Sequence, residues 1–275
     1  MHECKPLATP MPSTGQLISA SDQLFDDPAL YRSLVGGLQY LTFTRPDLSF
    51  SVNYVCQFLQ APTMAHFQLV KRILRYLQGT TALGLHITSN SSLDLYGFSD
   101  ADWAGCPTTR RSTSGYFTFL GSNYISWSAK KQPTVARSSA EAEYRAMAST
   151  AAELTWLSIL LQDLRLPLFK TPILHCDNMS ALFMTVNPVL HAWTKHIELD
   201  YHYVRERVAL GSLETKFVTS HDQLADLFTK LLLKTQFKQL RNKLGLYFLP
   251  QPSLGGNIRN EIKTISCASI KDISS

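Results

Sequence analysis

The chain has 275 residues, of which 45% are hydrophobic and 11% aromatic, so it is long enough to bury one large core or two smaller ones. This composition excludes an intrinsically disordered chain and a collagen-like polymer. The formal net charge of +5 is a mild basic excess, which permits a nucleic-acid partner without requiring one.

The five cysteines are widely spaced and odd in number, and they include no Cys-x-x-Cys pair, which disfavours a disulfide framework and a cysteine zinc site. The N-terminal residues lack the order of a secretory signal peptide, and no apolar run approaches the roughly 18 residues of a membrane span. These features predict an intracellular protein, in the cytoplasm or the nucleus, with no membrane partner.

Residues 1–29 contain proline, glycine and serine clusters that break regular structure, and we expect them to form a linker. Residues 30–82 then carry apolar side chains at helical spacing, and Pro46 and Pro62 divide this stretch into three helices. Thr63 is placed to cap the third helix. We expect the region to be a small helical segment.

After this segment the hydrophobic period changes from helical to alternating, which predicts several antiparallel strands in a row. A tight hairpin turn is expected at Gly121-Ser122-Asn123. The remaining elements are predicted in the order helix 139–163, strand 173–176, a helix from Asn178, helix 195–207, strand 213–218 and a helix from Gln223. This order predicts an α+β or mixed α/β domain over residues 83–248, followed by a disordered tail over residues 249–275.

Two basic clusters offer surfaces for a nucleic-acid backbone. The third helix of the helical segment carries Arg72 and Arg75, and the end of the mixed domain carries Lys230, Lys234 and Lys238. Such side chains form salt-sensitive contacts with phosphates. A solvated helix face explains the same pattern equally well, so both interpretations stay open.

Glycine-rich phosphate loops, dinucleotide fingerprints, serine nucleophile elbows and His-Glu-x-x-His zinc motifs are absent from the sequence, which disfavours the corresponding enzyme classes. Acidic residues stand instead at the ends of predicted elements. Asp100 ends a strand, Asp102 follows it in a turn, and Asp177 comes at the end of the short strand 173–176. Carboxylates at strand ends lie where sheets bind ligands or metals, although aspartate is also a common helix cap.

Two glutamates open the long helix, and their spacing assigns them different roles. Glu141 stands three residues after Ser138, which is the spacing of a capping box and gives Glu141 a structural role. Glu143 lies at the edge of the helix face that packs on the sheet, so it is held beside the strand ends. Asp226 lies in the first turn of the last predicted helix, where the helix dipole alone favours an acid.

Four carboxylates from separate elements suit hard divalent cations, because Mg²⁺ and Mn²⁺ prefer oxygen ligands. Two such ions activate a water molecule and stabilise the leaving oxygen in phosphodiester hydrolysis. The pattern therefore predicts metal-dependent cleavage of a nucleic-acid backbone.

Ordered motifs across the mixed domain closely resemble the ribonuclease H domain of copia-type retrotransposon polyproteins. These motifs occupy residues 98–105, 111–116, 138–144, 177–178 and 225–230. Upstream, residues 31–40, 44–47 and 74–80 resemble the segment that joins reverse transcriptase to that domain. The resemblance extends over residues 25 to 250.

The resemblance implies a ribonuclease H-like fold, a five-stranded mixed sheet flanked by helices, and an activity that hydrolyses the RNA strand of RNA/DNA hybrids. It places the four metal-binding acids of the family on Asp100, Glu143, Asp177 and Asp226, which would hold two Mg²⁺ ions, with Mn²⁺ as an alternative. A mobile histidine that precedes the last acid in many ribonucleases H matches His221. A solvated loop histidine is an equally good interpretation of that residue.

Other features of the sequence limit the expected activity. A Tyr-x-Asp-Asp polymerase motif is absent, so DNA synthesis is not expected of this chain, and the reverse transcriptase domain of the parent polyprotein is an expected partner. His196 and His202 are also typical of the family, but their spacing of six does not place them on one helical face, which favours packing roles over a zinc site.

Two alternative functions are weighed against the nuclease. The first is a catalytically inactive transposon remnant that at most binds nucleic acid. The second takes Asp100-Ala101-Asp102 as the metal motif of a glycosyltransferase, which the missing nucleotide-binding signature disfavours.

Overall fold

The computed structural model describes residues 4–12, 23–187 and 197–248. The predicted tail over residues 249–275, His196 and part of the predicted linker lie outside these ranges. No helix within the described ranges is long and apolar enough to cross a membrane.

The helices of the described residues follow the predicted order. They are α1 (Pro28–Leu41), α2 (Ser49–Cys56), α3 (Met64–Gln78), α4 (Ser139–Asp163), α5 (Met179–Val186), α6 (Glu198–Ala209), α7 (Asp226–Thr229) and α8 (Lys234–Lys243). The first three confirm the predicted helices of the helical segment, and α4 has its predicted bounds. Thr63 caps α3, and its own backbone amide donates a hydrogen bond to Nδ1 of His66.

The strands form one large sheet and one small one. They are β1 (Leu83–Leu85), β2 (Leu95–Asp102), β3 (Thr113–Leu120), β4 (Asn123–Lys131), β5 (Ile173–Cys176), β6 (Glu214–Phe217) and β7 (Leu246–Phe248). The large sheet has the order β4-β3-β2-β5-β6, and β1 pairs separately with β7. Strands β2 to β4 are antiparallel, whereas β5 runs parallel to β2 and to β6. The expected five-stranded mixed sheet flanked by helices is thereby confirmed.

Two local predictions were wrong because contacts between residues distant in the sequence determine the structure at these positions. Strand β2 does not end at Asp100 but continues to Asp102, because Asp102 pairs with Thr113 of β3. The last helix does not begin at Gln223. The Gln223 side chain donates to the Ser99 carbonyl and accepts from the Ala225 amide, which holds this stretch as a turn before α7.

Helices cover both faces of the large sheet. On one face α4, α5 and α6 enclose a core that includes Leu174 of β5. On the other face Phe98 and Phe117 join an apolar cluster with Tyr31 of α1 and Phe228 of α7. The helical segment and the mixed domain therefore share one core, and a boundary near residue 82 stays a prediction.

Candidate carboxylate site

Asp100 lies on β2, the central strand of the large sheet, two residues beyond the last β2 residue that pairs with β5. Its side chain is completely buried. One carboxylate oxygen, Oδ1, lies 3.1 Å from Nζ of Lys230. The other, Oδ2, accepts a hydrogen bond from the hydroxyl of Thr229. The carboxylate is therefore held at both oxygens by residues from the end of the domain.

Gly115 allows α7 to approach Asp100. It is the β3 residue paired with Asp100, and a Cβ atom at this position would lie 2.6 Å from Cγ2 of Thr229 and 2.7 Å from Cβ of Phe228. Real side chains do not reach such distances, so only glycine permits α7 to pack this closely against β3. The close packing brings Thr229 and Asp226 to the fully buried carboxylate.

Asp226 is the first residue of α7 and is almost fully buried. Its Oδ1 atom lies 2.7 Å from Nζ of Lys230, which follows it by one helical turn. Burial and the negative charge of Asp100 raise the pKa of Asp226 to about 6, and Lys230 offsets part of this increase. Two buried carboxylates thus face a single ammonium group.

Glu143 reaches the same place from the second turn of α4 and is 6% exposed. Burial, followed by the charges of Asp100 and Asp177, raises the pKa of Glu143 to about 9. Its Oε2 atom is buried and has no hydrogen-bond partner. A carboxylate oxygen left without a donor is costly in a protein interior, so it is a candidate ligand for a cation.

Glu141, two residues earlier, has a different role. The Ser138 hydroxyl accepts a hydrogen bond from the Glu141 backbone amide at 3.1 Å, as predicted for the helix cap. The Glu141 carboxylate accepts from the backbone amide of Arg137 at 2.7 Å and forms an ion pair with Arg145 at 2.8 Å. The Glu141 side chain therefore accepts a hydrogen bond from a backbone amide just before α4. That amide belongs to Arg137, whereas in a standard capping box it would belong to Ser138.

Asp177 comes directly after β5 and is partly exposed. Its Oδ2 atom accepts a hydrogen bond from the hydroxyl of Ser220 at 3.0 Å. Ligand atoms of Glu143, Cys176 and Asp177 all lie within 4.8 Å of one another. The structure therefore places Asp177 beside Glu143, and Asp177 is the more exposed of the two acids.

Sequence reasoning missed Cys176 and did not include Asp102 among the four metal-binding acids. Burial and the nearby charge of Glu143 raise the pKa of the Cys176 thiol, which keeps it protonated and unsuited to hard cations. Burial and the charge of Asp100 raise the pKa of Asp102 to about 6. Cys176 stands two residues after Leu174 in the predicted strand 173–176, so the two side chains share one face of the strand, and this spacing is the sequence signal that indicates a buried Cys176.

Asp100, Glu143, Asp177 and Asp226, which we call the acid cluster, come together from four elements as two pairs: Lys230 bridges Asp100 and Asp226, and Glu143 lies beside Asp177. The two pairs are connected by the charge of Asp100, which acts on Glu143. Burial, and then the charges of Asp100 and Asp177, raise the pKa values of Glu143 and Asp226, because little water is present to screen these charges. The atoms that these side chains offer to a metal ion are carboxylate oxygens, and Oε2 of Glu143 has no hydrogen-bond partner. This set of donors fits hard divalent cations such as Mg²⁺ or Mn²⁺.

The structure places His221 away from these contacts. Its side chain is 82% exposed, and its Nδ1 atom lies 3.1 Å from Oδ1 of Asp222. The adjacent Ser220, rather than His221, bonds to Asp177. A role for His221 in proton transfer stays a prediction.

The predicted basic residues fall into two groups. Arg72 donates to the hydroxyl of Thr9 at 3.0 Å, and Arg75 donates to the carbonyl of Lys5 at 2.9 Å, so N-terminal residues cover part of this surface. Lys234 and Lys238 lie exposed on α8. Contact of Arg72, Arg75, Lys234 and Lys238 with nucleic acid stays a prediction. Lys230 differs from them because it pairs with two members of the acid cluster.

Comparisons with known proteins agree with the resemblance seen in the sequence. No protein-family model matches the chain. The chain is 46% identical over 259 residues to the retrovirus-related Pol polyprotein from transposon RE2 of Arabidopsis thaliana, covering 94% of this chain and 18% of that protein. It is 40% identical over 219 residues to the corresponding polyprotein from transposon TNT 1-94 of Nicotiana tabacum, covering 79% of this chain and 16% of that protein.

Among solved structures, the chain is similar to the N-terminal RNase H domain of a Mycobacterium tuberculosis protein fused to maltose binding protein. The TM-score is 0.36 at 14% sequence identity, and the match covers 55% of this chain and 98% of that chain. The chain spans less than a fifth of the length of the two Pol polyproteins described above.

Proposed function

The chain belongs to the copia-type, retrovirus-related Pol polyproteins of transposons, and on this premise we propose that it is a ribonuclease H that hydrolyses the RNA strand of RNA/DNA hybrids. The observation that carries the proposal is the acid cluster itself, in which three acids are buried, the fourth is partly exposed, and one oxygen of Glu143 has no hydrogen-bond partner. Buried like charges are costly to a fold, so their presence supports a role in catalysis.

In the proposed mechanism, Asp100, Glu143, Asp177 and Asp226 would hold two Mg²⁺ ions, or Mn²⁺ in their place. When bound, such ions supply the positive charge that activates an attacking water molecule and stabilises the leaving oxygen. The protein contributes the geometry. Thr229 fixes the Asp100 carboxylate, and α4 holds Glu143 at the covered side of the cluster.

The open side of the cluster lies at Asp177, which is partly exposed. A phosphodiester approaching from this side would reach the acids without the deeper carboxylates leaving their positions. Lys234 and Lys238 are exposed on α8 and carry positive charge for the hybrid backbone. Such contacts orient a duplex without reading its sequence.

The proposal extends to the organisation of the chain. Residues 30–82 would be the connection to a reverse transcriptase domain, and residues 83–248 the ribonuclease H domain. The reverse transcriptase of the parent polyprotein would be the partner that supplies the hybrid. Polymerase activity is not expected of this chain, since its sequence lacks the Tyr-x-Asp-Asp motif.

Cleavage of a labelled RNA/DNA hybrid in Mg²⁺ or Mn²⁺ tests the proposal. The purified chain should cut the RNA strand and leave double-stranded DNA intact. Asp177→Asn should abolish cleavage without unfolding the chain, because Asp177 is only partly buried and bonds to one hydroxyl. Asp94→Asn is the matched control, since Asp94 forms an exposed ion pair with Lys170.

Two results would contradict the proposal. Retained metal-dependent cleavage in Asp177→Asn would remove the acid cluster from the reaction. A folded wild-type chain that binds hybrid without cleaving it in either metal would favour the inactive remnant.

A further inference from the structure

Lys230 follows α7 and turns back into the acid cluster. Its Nζ atom lies 2.7 Å from Oδ1 of Asp226 and 3.1 Å from Oδ1 of Asp100. Both distances are those of charge-assisted hydrogen bonds, so the ammonium bridges the two carboxylates. The sequence predicted that Lys230 contacts the nucleic-acid backbone. Its ion pairs indicate a different role in the protein without nucleic acid.

The three side chains differ in exposure. The side chain of Asp100 is 0% exposed and that of Asp226 is 7% exposed, whereas that of Lys230 is 38% exposed. The carboxylates are thus fixed by the fold, and the ammonium reaches them from the solvent side. A lysine side chain is a flexible four-carbon stem, which allows its charged end to leave without movement of the backbone.

The ammonium and a divalent cation would compete for the same oxygen atoms. A cation bound to Oδ1 of Asp100 and Oδ1 of Asp226 would lie within a few ångströms of Nζ, where two positive charges in a partly buried site repel each other strongly. Both cations cannot keep these contacts at once.

We propose that Lys230 is a built-in counter-ion that forms ion pairs with Asp100 and Asp226 in the metal-free chain and is displaced when a divalent cation binds. The inference rests on the proposed function, because it takes these two acids as metal ligands. It adds that the site is preformed without metal, and that metal affinity is reduced by the free energy needed to separate the ammonium from the two carboxylates.

Direct titration with Mn²⁺, followed by the electron paramagnetic resonance signal of the free ion, tests the inference without relying on cleavage. Lys230→Met removes the ammonium, and we expect it to tighten Mn²⁺ binding by about tenfold or more. Lys170→Met is the matched control, because Lys170 also pairs with a carboxylate, that of Asp94, but on the surface. It should bind Mn²⁺ as the wild type does.

Thermal unfolding provides a second measurement. In EDTA, Lys230→Met should melt below the wild type because two carboxylates lose their counter-ion, and Mn²⁺ should raise its melting temperature by more than it raises that of the wild type. Should Lys230→Met fail to fold in EDTA, Lys230→Gln provides a neutral side chain that keeps a polar N–H donor. It should also bind Mn²⁺ more tightly than the wild type.

The outcomes separate the inference from the function on which it rests. If Asp177→Asn weakens Mn²⁺ binding but neither Lys230 variant strengthens it, the metal site stands and the counter-ion role is wrong. If the wild type and the Lys230 variants all bind Mn²⁺ no better than Asp177→Asn does, the metal site itself is wrong, and the inference fails with it.

Discussion

Two groups of buried charged side chains in the described part of the chain differ in how well their charges and hydrogen bonds are matched. In the first, which we call the Arg45 network, Arg45 contacts both oxygens of Asp47 at 2.9 Å and 2.8 Å. Arg45 also donates to the carbonyl of Thr80 at 2.8 Å, and the hydroxyl of Tyr76 donates to Asp47 at 2.5 Å. Opposite charges meet here with good geometry, and the network ties the start of α2 to the end of α3.

In the acid cluster, by contrast, like charges are brought together. Asp100, Glu143 and Asp226 are all buried, and Lys230 bridges only two of them. One oxygen of Glu143 has no hydrogen-bond partner. A network whose charges are matched holds a fold together, whereas a buried cluster of one sign lowers stability and is retained where it binds a ligand or drives a reaction. The contrast distinguishes a structural polar group from a functional one.

The largest expected effect on stability comes from breaking the Arg45 network. Asp47→Ala leaves the buried guanidinium of Arg45 without its carboxylate, which should lower the free energy of unfolding by about 3–5 kcal/mol. Urea denaturation measures the loss. A change below about 1 kcal/mol would contradict the structural role of the network and weaken the comparison.

Removing a charge from the acid cluster should instead raise the free energy of unfolding. Burial and the neighbouring acids raise the pKa of Glu143 from its ordinary value of 4.5 to about 9, so the folded chain binds more protons than the unfolded chain between these values. The contribution of Glu143 to the free energy of unfolding of the metal-free chain should therefore fall as pH rises, by up to about 3 kcal/mol between about pH 5.5 and pH 8.

Glu143→Gln is the control for this pH dependence. The neutral variant should lose most of the slope and be more stable than the wild type at about pH 8 in EDTA. Asp102 and Asp226, whose pKa values are raised to about 6, contribute only to the lower part of the range. A wild-type slope that survives unchanged in Glu143→Gln would assign the titration to other groups.

A smaller effect is expected from the glycine that permits close packing in the acid cluster. Gly115→Ala places a methyl group against Thr229 and Phe228, which should cost about 1–3 kcal/mol in unfolding free energy and displace α7. Gly37→Ala in α1 is the matched control, because a Cβ atom there meets nothing within 4 Å. It should stabilise the chain by about 0.5–1 kcal/mol, and equal effects of the two variants would contradict the packing argument.

Local patterns in the sequence predicted much of the fold. The change from helical to alternating hydrophobic spacing separated α3 from the sheet, and the composition of α4 predicted its bounds. The spacing of Ser138, Glu141 and Glu143 predicted that one glutamate would cap the helix, and the contacts of Glu141 confirm this cap. These predictions depend on residues close together in the chain.

Local sequence patterns could not predict contacts between residues that are distant in the chain. The ion pair of Lys230 with Asp100 joins residues 130 positions apart, and the bond from Gln223 to Ser99 spans 124 positions. Both determine the local structure at the end of the domain, where a single helix was predicted. Charge and spacing along the chain do not indicate which distant partner a side chain will meet.

The most direct test of the account compares two glutamates on one helix. Cleavage of a labelled RNA/DNA hybrid in Mg²⁺ should fall by about a hundredfold or more in Glu143→Gln, since it removes a charged ligand from the proposed metal site. Glu141→Gln should cleave within about twofold of the wild type, because Glu141 lies at the helix cap and pairs with Arg145. Equal activity in the two variants would contradict the central claim that the acid cluster is the catalytic site.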